Sequence, residues 1–248
     1  MKKRAVAAMA VWMAGGLSGA AQAEGRLYPA FSVATEYRFD GVSSSSGAPV
    51  VQAGLHWWRP DKFFAGVYAT TVDYSGFYDE TTSYEVDFYA GRNWDFGGPD
   101  FYAGAHTRLS LQGMYVIFPD NETPGPTYDF LQAKARLQHR VGKWRVEAST
   151  SFTPQASYGA GRAWLARAGA AHEPTSWLAL DGNVGVRHAE NRADRTFWDM
   201  GATATIGQVA LDLRYYDTDL SYVECGYSAN CDSALVGKLT WNLPSIAF

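Results

Sequence analysis

Residues 131–152, LQAKARLQHRVGKWRVEASTSF, decide the fold because they hold two alternating segments around one tight turn. Apolar side chains occupy every second position from Leu131 to Leu137 and again from Trp144 to Phe152, and the positions between them are mostly polar or charged. A period of two is typical of a β-strand with one apolar face and one polar face. The short link Val141-Gly142-Lys143 is typical of a turn. The stretch therefore predicts two antiparallel strands.

The same alternation recurs along most of the chain. It is clear in residues 31–39, 51–57 and 84–91, and weaker segments lie at 63–73, 101–117, 162–171, 177–188, 197–206, 208–216 and 233–243. Together these segments predict twelve strands, of which 101–117 is long enough to contain a bulge or a re-entrant stretch. Connections after odd-numbered strands are long and rich in Ser, Gly, Pro and Asp, whereas the others are short. This rhythm is typical of a transmembrane β-barrel.

The N-terminus has the pattern of a secretory signal peptide. Basic residues at positions 2–4 precede an apolar run from Ala5 to about Leu17, and Ala21-Gln22-Ala23 forms an A-x-A cleavage site. We expect residues 1–23 to be removed and residues 24–248 to form one barrel domain. The mature chain has no run of 18 apolar residues, so a closed barrel is its only route across a membrane. We therefore predict an all-β, antiparallel transmembrane barrel in the outer membrane of a Gram-negative bacterium.

Composition and motifs argue against several functions. The formal net charge of −4 becomes more negative when the basic signal peptide is removed, which disfavours a nucleic-acid partner. The mature chain lacks a nucleophile elbow, a zinc-binding H-E-x-x-H, a phosphate-binding glycine loop and a haem-attachment C-x-x-C-H. We therefore expect no cofactor, no metal and no catalytic residue. A barrel enzyme remains an alternative through Ser149 or Ser151 with His106, His139 or His188, although no spacing connects a particular Ser to a particular His.

Two cysteines, Cys225 and Cys231, lie close together in a polar segment. In an exported chain an even number of cysteines favours a disulfide. A zinc site is the alternative, and it needs more soft ligands than this segment contains. We expect a disulfide in the last external loop.

The polar face of the predicted strands carries charges of both signs, which cannot face lipid cheaply near the middle of the membrane. The predicted pore-lining residues are Glu36, Arg38, His56, Glu85, Asp87, Lys134, Arg136, Arg145, Glu147, Arg187, Asp212, Arg214 and Lys238. They suit a narrow channel for small ions or solutes, and the excess of basic residues suggests a weak preference for anions. The alternative is that the same charges pair across the interior and close it, because twelve strands lie between filled and open barrels.

Four segments resemble the TorF-type porin family. They are Thr35–Ser43 (TEYRFDGVS), Pro49–Leu55 (PVVQAGL), Phe64–Tyr68 (FAGVY) and Glu85–Gly91 (EVDFYAG). The chain departs from the family pattern where Glu36 replaces an aspartate and Asp40 replaces an arginine. The resemblance covers about residues 31–93 and implies an outer-membrane porin of uncertain substrate.

The predicted partners are outer-membrane lipid, small ions or solutes, and the outer-membrane assembly machinery. The terminal Phe248 is the aromatic residue expected of a chain delivered to that machinery, although Pro244 interrupts the last strand. Two further interpretations stay open. The barrel could be a non-conducting structural or surface-interaction protein, and the alternation also suits a soluble β-sandwich or barrel.

Overall fold

A computed structural model describes residues 25–60, 62–74, 82–97, 106–122 and 128–248, so the predicted signal peptide lies outside the described residues. Twelve long strands form the wall. They are β1 (Arg26–Ala34), β2 (Val50–Trp58), β3 (Phe63–Thr71), β4 (Tyr84–Phe96), β5 (His106–Ile117), β6 (Phe130–Val141), β7 (Trp144–Ala156), β8 (Gly161–His172), β9 (Leu178–Ala189), β10 (Arg195–Ile206), β11 (Val209–Thr218) and β12 (Ala234–Asn242).

The wall is a closed antiparallel barrel. Each strand pairs with the next in sequence, and β12 pairs with β1 in a register that runs from Ala30 opposite Asn242 to Ala34 opposite Lys238. The described chain begins and ends at the same end of the barrel, where the Gly25 amide donates to the Phe248 carbonyl at 3.2 Å. We call this the lower end and the opposite end the upper end. The predicted twelve-strand barrel is confirmed.

The two faces of the wall follow the alternation in the sequence. Leu131 and Leu137 of β6 are each about half exposed on the outside, whereas Gln138 on the inner face is buried. Aliphatic side chains continue this outer surface on other strands, among them Leu111, Val146, Leu180, Val184, Val186, Leu211, Leu213 and Leu235. An apolar exterior around a polar interior is typical of a barrel in lipid. Within the described residues, no helix is long and apolar enough to cross a membrane.

The first strand differs from its predicted position. It runs from Arg26 to Ala34 and not from Phe31 to Phe39, and the chain then turns into the barrel. We call residues 35–49 the inner loop. Within it, Arg38 pairs with Ser43 and Phe39 with Val42, around the turn Asp40-Gly41, whose φ angles of 50° and 84° are both positive. Two positive φ angles suit the tight turns that close hairpins, so this part of the predicted strand is a separate small hairpin.

Two connections at the upper end of the barrel are shorter than predicted. The links 157–160 and 190–194 are as short as the lower links 59–62 and 173–177. The first is short because β7 continues to Ala156 and only a 3₁₀ turn, Ser157–Gly159, separates it from β8. In the predicted strand 101–117, the described part pairs with β4 without a break from Thr107 to Ile117. The remainder of that prediction falls on residues outside the described ranges.

The last strand ends before Pro244, as the sequence indicates. β12 stops at Asn242, and Ile246–Ala247 pairs with Leu27 and Arg26 at the start of β1.

The predicted disulfide is confirmed. Cys225 and Cys231 are bonded, with their Cα atoms 5.9 Å apart, and both are buried in the long upper segment 219–233. Closing so short a loop stabilises it by about 2 kcal/mol on chain-entropy grounds.

We expect the Cys225→Ser/Cys231→Ser variant to be cut faster by chymotrypsin at the exposed Tyr222 and Tyr227, with its far-UV circular dichroism unchanged. An unchanged rate of cleavage would contradict this role of the disulfide.

Candidate functional site

The inner loop is attached to the wall of β9 and β10 through Asp40. One carboxylate oxygen of Asp40 lies 3.5 Å from the guanidinium groups of both Arg187 and Arg195. The Asp40 side chain is 8% exposed. Arg195 also donates to the Phe39 carbonyl at 3.5 Å. Within the loop, Arg38 donates to Glu36 at 3.0 Å and to the Gly41 carbonyl at 2.9 Å. Charge-assisted bonds of this kind are the stronger class of hydrogen bond, so they hold the hairpin inside the barrel.

Gly41 allows the close packing of this hairpin. Its φ of +84° is a conformation that residues with a side chain rarely adopt, and an added Cβ would overlap the Cβ of Phe197 on β10. Phe197 is itself 2% exposed, so it cannot move aside into solvent. The backbone of the inner loop therefore lies directly against the inner wall.

The opposite side of the inner loop is hydrogen-bonded to the residues that follow β3. The Asp73 amide donates to the Ser44 carbonyl at 3.0 Å, and Ser46 Oγ donates to the Asp73 carbonyl at 2.9 Å. Ser45 Oγ accepts from the Tyr37 amide at 3.0 Å. The loop is thus attached to both sides of the barrel and crosses its interior.

The inner loop divides the interior into chambers. Above it lies a cavity of about 450 Å³, the upper chamber, and below it lies one of about 440 Å³, the lower chamber. Phe39 lines both of them. A side chamber of about 260 Å³ shares Lys134 and Arg136 with the lower chamber. The loop, with Phe39 at the boundary, is therefore the narrow part of the interior.

One wall of the lower chamber is an ion-pair network centred on Arg214. Its guanidinium contacts Asp181 at 2.8 Å, Asp212 at 3.3 Å and Asp199, and Asp199 also accepts from Arg167 at 2.9 Å. Arg214 on β11 reaches Asp181 on β9 because Gly201, which lies between them in register on β10, has no side chain in the way. Each of the three carboxylates of this wall is therefore paired with an arginine, which leaves little unpaired charge.

The facing wall is less fully neutralised. Arg136 donates to Glu147 at 2.6 Å, whereas Arg145 lies 4.0 Å from Glu173, which Arg140 contacts at 2.7 Å. Lys134 forms no ion pair with any residue that the structure describes. It lines both the lower and the side chamber. This wall therefore carries a net positive charge.

The upper chamber has a different chemical character. Glu85 and Asp87 of β4 line it, and Glu85 accepts from the Tyr37 hydroxyl at 3.0 Å. Tyr74, Phe118 and Tyr128 form a cluster with ring centroids 5.8–6.1 Å apart. Val116 lies opposite Asp87 in the β4–β5 register, between Met114 and Phe118. The chamber thus combines an aromatic and apolar wall with two carboxylates.

The predicted pore-lining residues all lie on the inner side of the wall or in the inner loop. Glu36 and Arg38 belong to the inner loop, and the others lie on strands: His56, Glu85, Asp87, Lys134, Arg136, Arg145, Glu147, Arg187, Asp212, Arg214 and Lys238. The lower chamber brings together Arg38, Lys134, Arg136, Arg145, Glu147 and Arg214, and the upper chamber brings together Glu85, Asp87 and Arg187. His56 is separate, in the side chamber, where it contacts the Tyr89 hydroxyl at 3.1 Å. Their role in a conducting pore stays a prediction.

Among the charged residues of the interior that sequence reasoning missed are Asp40, Arg167, Asp181, Arg195 and Asp199. Four of them lie on the polar face of weakly alternating strands, so extending the period of two through those strands would have found them. Asp40 had no such signal, because it occupies a turn.

Two of the three histidines considered for catalysis lie on the opposite face of the wall from the serines, and the third, His106, is buried at the start of β5. Ser149 and Ser151 face the interior, whereas His139 and His188 lie on the outer face and contact Thr107 at 3.0 Å and Asp194 at 2.6 Å. Among the described residues, no group of three His, Cys, Asp or Glu side chains could hold a metal ion.

The fold is similar to that of outer-membrane channels of known structure. An outer-membrane channel from Pseudomonas putida F1 matches with a TM-score of 0.54 and 11% identity, over 94% of this chain and 98% of that chain. The KdgM porin, solved in complex with disordered oligogalacturonate, matches with a TM-score of 0.52 and 4% identity, over 89% of this chain and 99% of that chain. At such low identity the likeness shows the fold alone.

The comparison with curated protein sequences finds no match. A family model described as "Bacterial protein of unknown function (Gcw_chp)" matches residues 21–243, which is most of the chain. The chain therefore belongs to the Gcw_chp family of bacterial proteins.

Proposed function

We propose that this protein is an outer-membrane channel of the TorF porin type, through which small ions or solutes diffuse passively. The apolar outer face of the barrel, the predicted signal peptide and the resemblance of residues 31–93 support a site in the outer membrane. The lower end, where the described chain begins and ends, then faces the periplasm, and the longer upper segments face outward. The protein acts without catalysis, cofactor or metal.

The observation that carries this proposal is the pair of charged chambers on either side of the inner loop. A barrel built only as a structural element would gain more stability from an interior filled with apolar side chains than from buried ion pairs. Here the interior keeps cavities of about 440 and 450 Å³ that are lined by charged residues. Such cavities suit hydrated ions and polar solutes.

The charge of the lower chamber favours anions. The lower chamber is lined by six basic and four acidic side chains, Arg38, Lys134, Arg136, Arg145, Arg167 and Arg214 against Asp40, Glu147, Asp181 and Asp199. Lys134 is the basic residue among them that forms no ion pair with the described residues. Acidic saccharides of the kind present in the KdgM complex are one class of solute that such a chamber would admit.

The first test is the ion selectivity of single channels formed by residues 24–248 in planar bilayers. We expect the Lys134→Glu/Arg145→Glu variant to change a weak anion preference into a cation preference, because both side chains line the lower chamber. The matched control is Lys143→Glu, which changes an exposed lysine in the β6–β7 turn, outside the lumen, and should leave selectivity unchanged.

A non-conducting barrel is the second candidate, and two observations favour it: the inner loop crosses the lumen, and the Arg214 network neutralises charges on the wall below it. A barrel that is correctly inserted but electrically silent, in the parent and in all variants, would refute the channel and support a structural or surface-interaction role.

A further inference from the structure

The upper chamber holds two carboxylates that have no counter-charge. Glu85 is 8% exposed, and the Tyr37 hydroxyl is its hydrogen-bond donor at 3.0 Å. Asp87 Oδ1 is buried and has no hydrogen-bond partner among the described residues. No lysine or arginine of the described chain forms an ion pair with either carboxylate. The undescribed stretches after residue 24 contain no Lys, Arg or His, so they supply no counter-charge either.

Two of the three arginines that line the same chamber pair with the inner loop. Arg187 and Arg195 both contact Asp40 of the inner loop. Arg192 is exposed at the upper rim, within the β9–β10 link. The acidic side of the chamber, formed by β4, therefore presents to a positive group from outside the chain two carboxyl groups that no lysine or arginine of the described residues pairs with.

The wall beside these carboxylates is aromatic and apolar. In register, Asp87 is opposite Val116, and Val116 packs with Phe118 and Tyr128 in one buried cluster that Tyr74, Met114 and Phe130 extend. An aromatic ring attracts a cation that lies over its face, and this effect is strongest where water is excluded. A ligand that carries both a positive group and an apolar body matches both parts of the wall.

The geometry points to an organic cation with an aromatic or alkyl body, such as an alkyl- or arylammonium ion, as the ligand of the upper chamber. Its ammonium group lies beside Glu85 and Asp87, and its apolar body packs against Phe118, Tyr128 and Tyr74. The inner loop forms the floor of this site, and the disulfide-bonded segment that contains Cys225 and Cys231 lines its outer part. The site opens on the side that the channel proposal assigns to the exterior, and the lower chamber would meet a solute only afterwards.

Isothermal titration calorimetry of the refolded chain in a non-ionic detergent tests this site without requiring conductance. Three soluble probes separate the contributions: phenyltrimethylammonium has a ring and a cation, tetramethylammonium has the cation alone, and benzenesulfonate has the ring with an anion. We expect phenyltrimethylammonium to bind most tightly. The Glu85→Gln/Asp87→Asn variant, which keeps the shape of both side chains, should bind it about tenfold more weakly.

Two further variants make the result specific. Phe118→Leu should reduce the preference for phenyltrimethylammonium over tetramethylammonium, and Glu190→Gln, a carboxylate at the exposed rim that does not line the chamber, should change nothing. Equal binding of benzenesulfonate would assign the chamber to its arginines and overturn the proposal. Unchanged binding by a folded Glu85→Gln/Asp87→Asn variant would overturn it as well. Failure of conductance with retained binding would refute only the channel.

Discussion

Replacing the inner loop with a tight turn should raise the single-channel conductance about threefold, because the loop crosses the lumen and separates the upper chamber from the lower chamber. Ala34 and Val50 are direct register partners on β1 and β2. A two-residue Asn-Gly turn can therefore replace residues 35–49 without straining the wall. The measurement is the step size of single channels in planar bilayers, with insertion checked by heat-modifiable migration on gels.

Phe39→Ala provides an intermediate variant, since it keeps the loop and its anchor at Asp40 but removes the ring that separates the chambers. We expect a smaller increase in conductance than for the loop replacement. If the loop replacement inserts correctly and conducts like the parent, the narrowest point is elsewhere, and the Arg214 network in the lower chamber becomes the next segment to open.

Arg214→Met should lower the free energy of unfolding by about 3 kcal/mol, which is the typical loss when one partner of a buried ion pair is removed. Arg214 is 13% exposed, and its guanidinium forms ion pairs with the carboxylates of Asp181, Asp199 and Asp212. Methionine fills much of the same space but leaves these carboxylates close together without their shared cation. Unfolding by urea in lipid vesicles, followed by tryptophan fluorescence, measures the loss.

The matched control is Arg162→Met at the upper rim. Arg162 contacts Glu190 at 3.0 Å, and its guanidinium lowers the pKa of that carboxyl, yet both side chains are about half exposed or more. Exposed pairs contribute little to stability, so this variant should unfold like the parent. Adding Asp199→Asn to Arg214→Met should restore part of the lost stability. A double variant that is less stable than Arg214→Met would contradict the electrostatic explanation.

The period of two was sufficient to predict the barrel but not where the wall ends. Residues 31–39 alternate without interruption, although the wall stops at Ala34 and the rest belongs to the inner loop. A hairpin inside a barrel alternates just as a wall strand does, so hydrophobic pattern cannot separate them. The dipeptide Asp40-Gly41 was the available signal, since it favours a tight hairpin turn.

The end of β7 also differs from the prediction. The alternating segment ends at Phe152, but β7 continues past Pro154 to Ala156, and its register with β8 shifts between Gly161 and Ala163. Proline is tolerated beside such irregularities, where a ladder hydrogen bond is already missing.

The residues of the inner face were easier to predict than the contacts between their side chains. Alternation assigns Arg214 and Asp212 to the lumen, but it gives no indication that Arg214 crosses Gly201 to reach Asp181, 33 positions away in sequence. That contact depends on the register of three strands together. The two unpaired carboxylates were also on the predicted list, although nothing in the sequence distinguished them from residues that are neutralised.

The attachment of the inner loop to the far wall has a consequence for the order of folding. Asp40 and Arg187 are 147 positions apart, so their contact must wait until β9 has been synthesised and is in place. The inner loop follows β1 directly in the chain, and β1 pairs with β12 to close the barrel. Docking of the loop therefore brings the first strand toward strands near the end of the chain, and it reduces the conformational search that remains before the cylinder closes.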